Sequence, residues 1–446
     1  MRTNAKAKTE VPYTYEGARA VMHLSIEQKL RRSIMACMLW EDTFYEDGES
    51  ITDRIKSLCL MLTADKIASL AIEVRNEHHM RHVSLWLLVA LIERGRGNPI
   101  VSKTIPEVIQ RADELAELVA LYWKDGKKPL SAQMKKGLAA AFVKFDAYAL
   151  AKYDRGDEIK LRDVMFLCRP KPKNNEQAEV FKKLANQTLE SPDTWEVALS
   201  GGADKKETFT RLIQEKKLGY LALLRNLRNM VESGVDADLV RSAIRDTSKA
   251  RDILPFRYIA AARAAPVYEA ELDLAMMASI EELPVLSGLT VIMMDVSGSM
   301  NEMLSQKSDM LRMDAGAALA AIIRSDELRI FTFSNGLVEV PANRRGMSCV
   351  DVIRNSQRHA GTHLHSALTG LYSFVPTMTR LIVISDEQIA AESGDALPAP
   401  ENAIPYMINV GTNKNGVGYG KWMHIDGFSE NIIKYIHQTE TESVED

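Results

Sequence analysis

The sequence contains few cysteines, no long apolar run and no large excess of either charge. Cys37, Cys59, Cys168 and Cys349 are scattered without a C-x-x-C pair, which argues against a disulfide framework or a thiolate zinc site. No apolar run reaches the ~18 residues that span a membrane. The polar start, MRTNAKAKTEVPYTYEG, carries no secretory apolar segment. We therefore expect a cytoplasmic protein with reduced thiols and no membrane partner.

The overall charge gives no sign of a uniformly basic surface for nucleic acid. The 446 residues include 56 Lys and Arg and 60 Asp and Glu, a net charge of −4. Residues 1–290 contain 44 basic and 41 acidic side chains, whereas residues 291–446 contain 12 and 19. At roughly 100–200 residues per domain, the length allows two to four folding units. The change in charge indicates two dissimilar parts.

From about residue 24 to residue 280, apolar side chains recur at the i, i+3, i+4, i+7 spacing of amphipathic helices. Two such stripes are Ile67, Leu70, Ala71 and Val74, and Val108, Ala112, Leu115 and Val119. Glycine-containing breaks occur at residues 94–99, 124–126, 200–202 and 232–234. The capping-box spacing of Thr104 and Glu107, with Pro106 between them, predicts a helix start. Many short helices in series are typical of an α-solenoid.

The pattern changes near residues 283–288, where short buried strands begin to alternate with helices. Strands are predicted at residues 289–294, 328–333, 337–340, 380–385 and 406–410. Helices are predicted at residues 309–324, 349–357, 364–374 and 430–437. This alternation is typical of a doubly wound parallel α/β sheet, to which the third strand adds a hairpin partner. We therefore predict a helical-repeat domain over residues 1–283 and an α/β domain over residues 284–446.

A DxSxS motif stands at the end of the first predicted strand. It places Asp295, Ser297 and Ser299 at the carboxyl edge of the sheet, where open α/β sheets bind ligands. Thr362 and Asp386 follow or end other elements of the same domain. Hard oxygen ligands of this kind suit Mg²⁺. Because the hydroxyls add no charge to the two carboxylates, the ion would remain electrophilic, and an open coordination position would accept an anionic group from a partner.

This set of residues resembles the metal-ion-dependent adhesion site of von Willebrand factor A domains. The resemblance implies that Ser297, Ser299 and Thr362 bind a divalent cation directly, and that Asp295 and Asp386 often act through water. The alternative is that the aspartate and serines only cap the following helix. A cap needs one oxygen, however, and not five oxygen-bearing side chains on three loops, so we favour the metal site.

Several stretches of the helical part stand out at residues 194–200, 205–209 and 217–230, with further ones at 162–172 and 254–261. Taken in this order, they resemble the TROVE module, the RNA-binding ring of telomerase, Ro and Vault proteins. A TROVE module followed by an A domain is the architecture of the Ro autoantigen family, so the resemblance covers nearly the whole chain. It implies a ring-like α-solenoid of HEAT-like repeats closed by the A domain.

The same resemblance implies two kinds of RNA ligand. In the family, small structured Y RNAs bind the outer basic surface, and single-stranded 3′ ends of misfolded RNAs enter the central hole. Bacterial relatives work beside exoribonucleases such as polynucleotide phosphorylase. The resemblance therefore predicts an RNA-binding scaffold of a ribonucleoprotein that acts in RNA quality control or processing.

The densest basic region, residues 144–183, contains ten basic side chains and seven acidic ones. Candidate RNA-binding residues are Lys144, Lys152, Arg155, Arg169, Lys171 and Arg225. By resemblance, Lys152 matches an outer-surface RNA contact of the family, Arg155 lies one position from another, and Arg169 replaces a histidine. Phosphate contacts would supply sequence-independent affinity. The alternative for the lysines is a solvated helix face, and Arg225 could equally join two helices.

No catalytic acid–base pair stands out, so we predict a binding protein and not an enzyme. Ser297 lacks the G-x-S-x-G elbow, and residues 411–420 lack the ending of a P-loop, which indicates a mobile loop. Histidines around Thr362 could bind zinc, but other thiol or imidazole ligands are distant in sequence. The alternative functions are a Mg²⁺-dependent protein–protein adaptor without RNA and a metal-dependent hydrolase.

Overall fold

The computed structural model of the chain contains two compact units. The residues that it describes are 13, 14, 16, 18, 19, 24–34, 48–154, 158–250, 253, 255–279, 281, 283–303, 310–341, 345–392, 396–411, 415–427 and 431–445. One unit comprises residues 1–52, 254–260 and 276–446, and the other comprises residues 53–253 and 261–275. Within the described ranges, no helix is long and apolar enough to cross a membrane.

The elements run from a helical region into a region of alternating strands and helices. The helices of the first region are α1 (Ile26–Ile34), α2 (Gly48–Leu60), α3 (Ala64–Asn76), α4 (Arg81–Arg94), α5 (Pro99–Val108), α6 (Asp113–Tyr122), α7 (Ala132–Phe142), α8 (Ala147–Tyr153), α9 (Leu161–Cys168), α10 (Asn175–Ala185), α11 (Trp195–Ser200), α12 (Lys205–Gln214), α13 (Tyr220–Glu232), α14 (Ala237–Arg245), α15 (Pro255–Ala264) and α16 (Glu269–Ser279). The second region contains β1 (Leu286–Asp295), α17 (Arg312–Ile322), β2 (Ser325–Phe333), β3 (Leu337–Val340), α18 (Gly346–Arg354), α19 (Leu364–Phe374), β4 (Arg380–Ser385), β5 (Ile404–Asn409), β6 (Met423–Asp426) and α20 (Asn431–Glu445). This order confirms the predicted fold class.

The helical unit is built from short helices that pack against one another in succession. Helices α3, α5 and α7 contact one another in succession, while α4 contacts α3, α5 and α6. Helix α9 continues the stack by packing against α6 and α7. The buried face of α3 is the predicted stripe: Ile67, Leu70, Ala71 and Val74. Ala68 is also buried, beside this stripe. Each helix pair buries its apolar face against the next pair, as in helical-repeat proteins.

The helix ends agree with the predicted glycine-containing breaks, whereas the predicted start at Thr104 is wrong. Helix α5 begins at Pro99, and the Asn98 side chain caps it by accepting a hydrogen bond from the amide of Ile100 (3.0 Å). Thr104 lies inside α5, where its hydroxyl donates to the carbonyl of Ile100 (2.8 Å). An Asn cap followed by proline is the stronger signal, because both residues favour the start of a helix over its interior.

The second predicted stripe belongs to two helices. Its residues are all buried: Val108, Ala112, Leu115 and Val119. The chain leaves the helical conformation at Ile109, and the carboxylate of Glu114 then accepts hydrogen bonds from the amides of Gln110 (2.7 Å) and Arg111 (3.0 Å). A buried carboxylate thus satisfies two amides of the segment between α5 and α6, which the apolar pattern alone could not indicate.

The six-stranded sheet has the order β3-β2-β1-β4-β5-β6. Its neighbouring strands are parallel except for β2 and β3, which form the predicted hairpin. From β1 the chain winds to β2 on one side and later to β4 on the other, so the topological switch point lies between β1 and β4. Sequence reasoning missed β6, because its four residues, Met-His-Ile-Asp, are too few for a clear strand pattern.

The N-terminal segment belongs to the unit that contains the sheet, although the sequence pattern assigns residues 1–283 to the helical domain. Arg32 of α1 is fully buried and donates to Glu387 Oε1 (2.6 Å) and to the carbonyl of Asn415 (2.7 Å). The amides of Val417 and Gly418 donate to Glu387 Oε2 (2.6 and 2.7 Å). Residues 416–419 of the predicted mobile loop are buried, and two of their amides are held by Glu387, because a buried carboxylate needs such partners.

His424 completes this buried charge cluster. Its Nε2 lies 2.5 Å from Glu387 Oε1, its Nδ1 lies 3.5 Å from Asp426 Oδ2, and its ring stacks on Tyr419 at 3.9 Å. Burial alone would lower the pKa of His424, but the charges of Asp426 and Glu387 outweigh burial and raise it to about 9. Burial would also raise the pKa of Glu387, but Arg32 and His424 hold it well below its usual range.

We expect His424→Gln to destabilise this unit more at pH 6 than at pH 9.5. A raised pKa means that protonated His424 stabilises the folded state fully below about pH 6.5, and that this contribution is lost as the pH rises through about 9. The expected difference is of the order of 3 kcal/mol in the free energy of unfolding, measured by urea denaturation at both pH values. The exposed His437→Gln is the control, and an equal loss at both pH values would contradict the assignment.

Candidate functional site

Three loops meet at the switch point of the sheet. The first follows β1 and carries the DxSxS motif, the second precedes α19 and carries Thr362, and the third follows β4 and carries Asp386. Backbone hydrogen bonds tie them together: Gly298 N donates to the carbonyl of Ala360 (2.9 Å), and Ala390 N donates to the carbonyl of Thr362 (3.0 Å). The topology thus brings the loops with all five predicted metal ligands to one edge of the sheet.

The DxSxS motif folds back on itself within this edge. Asp295 Oδ1 accepts a hydrogen bond from Ser297 N (2.8 Å), and Asp295 Oδ2 accepts one from the Ser385 hydroxyl (2.6 Å). The hydroxyls of Ser297 and Ser299 lie 3.3 Å apart. Ser297 precedes a short 3₁₀ turn without capping it through its side chain. The alternative that Ser297 is a helix cap is therefore not supported, and its hydroxyl faces that of Ser299.

The electrostatics of the site favour a cation. Asp295 and Asp386 are both fully buried. Burial and the nearby charge of Asp386 raise the pKa of Asp295 to about 7. Arg312 Nη1 lies 3.9 Å from Asp386 Oδ2 and offsets part of this negative charge. A divalent cation would remove the remaining repulsion between the two carboxylates.

Thr362 provides an independent indication of a ligand. Its side chain is fully buried, and its Oγ1 has no hydrogen-bond partner among the described residues. A buried hydroxyl without a partner costs about 1–3 kcal/mol, so such atoms are rare unless a ligand, ion or water satisfies them. Two carboxylates and three hydroxyls form the donor set that Mg²⁺ prefers over the nitrogen and sulfur ligands of zinc.

The nearby histidines do not form a zinc site in the described structure. His363 Nδ1 lies 2.7 Å from Glu392 Oε1, and His359 Nε2 lies 2.8 Å from the carbonyl of Arg354. The described residues contain no group of three or more His, Cys, Asp or Glu side chains arranged to hold a metal. The hydroxyl-rich set at the switch point therefore remains the candidate metal centre.

Lys144 has a structural role in the helical unit. Its ammonium donates to the carbonyls of Pro106 (2.6 Å) and Ile109 (2.7 Å) at the C-terminal end of α5. Burial lowers the pKa of this ammonium. The last carbonyls of a helix lack intrahelical donors, and Lys144 satisfies two of them from the next helix pair. These two hydrogen bonds explain the position of Lys144, which the sequence predicts to bind RNA.

Lys152 lies in the last turn of α8 beside two aromatic rings. Its Nζ is 5.8 Å from the ring centroid of Tyr148 and 5.5 Å from that of Tyr153, and the Arg111 guanidinium lies 4.6 Å from the Tyr153 centroid. Lys152 and Arg111 line a cavity of about 440 Å³. The cavity is also lined by four carboxylates: Asp113, Glu117, Glu158 and Glu196. The surface at Lys152 is therefore aromatic and mixed in charge.

The other basic candidates lie at exposed positions or outside the described residues. Arg169 caps α9 in the left-handed conformation (φ 51°), and both it and Lys171 are exposed. Helix α9 has eight residues and is about 12 Å long, which separates Arg169 from the cavity at the other end of the helix. Arg225 is exposed on α13 and forms no hydrogen bond or ion pair with the described residues, which favours a surface role over joining two helices. Arg155 lies outside the described residues.

We expect Gly411→Ala to disturb the metal-site loop through Asp386. A Cβ at Gly411 would lie 2.7 Å from the Cβ of Asp386, closer than real Cβ atoms approach. The expected cost is about 1–3 kcal/mol in the free energy of unfolding, measured by urea denaturation. Gly370→Ala in α19 is the control, because its Cβ would meet only Leu337 at 3.9 Å and alanine favours a helix. Equal stability of the two variants would show that the close approach is not limiting.

Comparisons with known proteins agree with this architecture. The TROVE domain family model matches residues 185–272. The fold is similar to that in the crystal structure of Deinococcus radiodurans RO (RSR) protein, with a TM-score of 0.60, 15% sequence identity, and coverage of 93% of this chain and 100% of that chain. No curated protein matches the chain significantly by sequence. Residues 185–272 are therefore similar to the TROVE domain, and the chain has a fold similar to that of a Ro protein.

Proposed function

We propose that this protein is an RNA-binding scaffold of a Ro-type ribonucleoprotein and not an enzyme. The observation that carries the proposal is the TROVE domain match within a chain that has the Ro fold over 93% of its length. Its ligands would be a small structured, Y-like RNA on the outer surface and single-stranded 3′ ends of misfolded RNA in the central ring. An exoribonuclease such as polynucleotide phosphorylase would be its partner in RNA quality control in the cytoplasm.

The exposed cations support a local RNA-binding surface. Arg169 and Lys171 are exposed at the end of α9, and Lys152 lies beside tyrosine rings on which a base could stack. Arg155, next to this surface in sequence, and the exposed Arg225 on α13 complete the proposed set. Lys144 is left out, because its ammonium is held by two carbonyls.

We expect Lys152→Ala combined with Arg169→Ala to weaken binding of a structured RNA hairpin more than binding of a single-stranded 3′ tail. Two lost phosphate contacts would lower the slope of log K against log salt by about 2. The measurement is a salt series of binding curves for a hairpin with and without a tail. Lys135→Ala with Lys136→Ala removes two exposed lysines of α7 and is the matched control. Equal losses for both RNAs would contradict the two-surface proposal, and absence of binding at low salt would refute RNA binding.

We further propose that Asp295, Ser297, Ser299, Thr362 and Asp386 hold Mg²⁺. The orphaned Thr362 hydroxyl and the two buried carboxylates support this assignment. The bound cation would offer an open position to a carboxylate. This open position also supports the alternative function of a Mg²⁺-dependent protein–protein adaptor. If that alternative holds, Asp295→Ala loses the protein partners of the wild type, and RNA neither co-purifies with the protein nor binds to it.

We expect Thr362→Val to weaken the response to Mg²⁺ without destabilising the metal-free protein. The variant loses no hydrogen bond to the described residues, and it removes an unsatisfied buried hydroxyl. The measurement is the melting temperature of the α/β unit at rising Mg²⁺ concentration after treatment with a chelator. Thr362→Ser keeps the hydroxyl and is expected to keep the response. An equal Mg²⁺-dependent rise in wild type and Thr362→Val would contradict a role of this hydroxyl.

A further inference from the structure

A turn of the N-terminal segment lies against the metal-site loops. We call the described residues 13, 14, 16, 18 and 19 the N-terminal turn. Tyr13 and Arg19 pair as an antiparallel bridge, and Thr14 N donates to the carbonyl of Ala18 (2.9 Å). The Thr14 hydroxyl accepts a hydrogen bond from Ala18 N (2.9 Å). These bonds close the turn and put Glu16 between its two ends.

The N-terminal turn is fastened to the loop that carries Asp386. The Thr14 hydroxyl donates to the carbonyl of Ile389 (2.7 Å), and Ala391 N donates to the carbonyl of Glu16 (3.2 Å). The side chain of Asn415 donates to the carbonyl of Tyr13 (2.6 Å). Thr14 is buried. The turn is therefore positioned by three hydrogen bonds to other residues of the same unit.

The Glu16 carboxylate reaches the second metal-site loop. Its Oε2 accepts a hydrogen bond from Thr362 N (3.1 Å). Thr362 is also the residue whose buried hydroxyl has no partner among the described residues. A carboxylate offers about four acceptor positions, so one hydrogen bond from an amide leaves capacity for a cation. Glu16 is thus a carboxylate outside the predicted set that contacts a loop carrying a predicted metal ligand.

We propose that Glu16 occupies the open coordination position of the metal site as an anionic group supplied by the chain itself. This inference rests on the proposed Mg²⁺ site. Two buried carboxylates balance the charge of one divalent cation and leave it electrophilic, whereas a third carboxylate satisfies it. An acidic partner would then have to displace the Glu16 side chain before it could bind the cation. The N-terminal turn therefore controls access to the site.

Cation binding and docking of the N-terminal turn are then coupled. The Glu16 carboxylate is held beside the second metal-site loop by the amide of Thr362. A cation bound to that loop would attract its negative charge. Because coupling between two binding events is reciprocal, the cation must tighten the turn as much as the turn tightens the cation. Glu16→Gln keeps the shape of the side chain and removes this attraction.

The test uses the full chain and Mg²⁺ alone, with affinity measured by calorimetry for wild type, Glu16→Gln and the control Glu27→Gln in α1. Glu16→Gln is expected to weaken Mg²⁺ binding about tenfold, and Glu27→Gln is expected to leave it unchanged. Hydrogen exchange at the amides of Thr362 and Ala391 provides a second measurement. Mg²⁺ is expected to slow exchange at both amides in wild type and not in Glu16→Gln.

A rescue experiment separates a ligand from a structural side chain. Glu16→Ala is expected to bind Mg²⁺ several-fold more tightly when free acetate is added, because acetate fills the vacated position, whereas wild type is expected to show no acetate effect. This inference would be overturned if Glu16→Gln bound Mg²⁺ as tightly as wild type, or if acetate did not rescue Glu16→Ala. Either result would leave the proposed metal site intact. An absence of Mg²⁺ binding in wild type would overturn both the metal site and the inference.

Discussion

The structure of this edge of the sheet depends on two buried carboxylates that lie close together. Asp295 and Asp386 follow neighbouring strands at the switch point, and both are fully buried. Charges in such a place need compensation. The chain supplies part of it through the Ser385 hydroxyl, a backbone amide and Arg312. The Thr362 hydroxyl without a partner belongs to the same set of oxygen donors, whose chemistry would suit a divalent cation.

The next residue along the chain also has a buried carboxylate, and the chain itself compensates its charge. Glu387 is as deeply buried as Asp386, but Arg32, His424 and two backbone amides satisfy both of its oxygens. Both oxygens of Glu387 are therefore paired within the chain, whereas Asp386 belongs to the predicted metal site and is approached by the amide of Gln388 and by Arg312. Pairing with Arg32 also explains why α1 belongs to the sheet unit, since separating a buried ion pair leaves both charges uncompensated.

The basic side chains of the helical unit differ in whether they bond to other parts of the protein or are exposed. Net charge is a poor guide to binding here, because Lys144 is used as a helix cap and Lys152 lies among carboxylates and tyrosines. The exposed cations that remain, Arg169, Lys171 and Arg225, are distributed over α9, its following loop and α13. Affinity for RNA would then come from a few local phosphate contacts and from stacking, and not from a uniformly basic coat.

The local sequence by itself determined the change from helical repeats to an alternating α/β domain and the limits of α19 and β4. It also determined the strand-end positions of Asp295 and Asp386. These features could be predicted because apolar periodicity and strand-end polarity are properties of neighbouring residues. It misplaced the start of α5, where competing cap signals lie a few residues apart. Only the tertiary structure decided that Glu16 meets Thr362 and that Lys144 caps a helix. Those contacts join residues far apart in sequence, and their partners are selected by packing and by the need to satisfy buried polar groups, which no local pattern encodes.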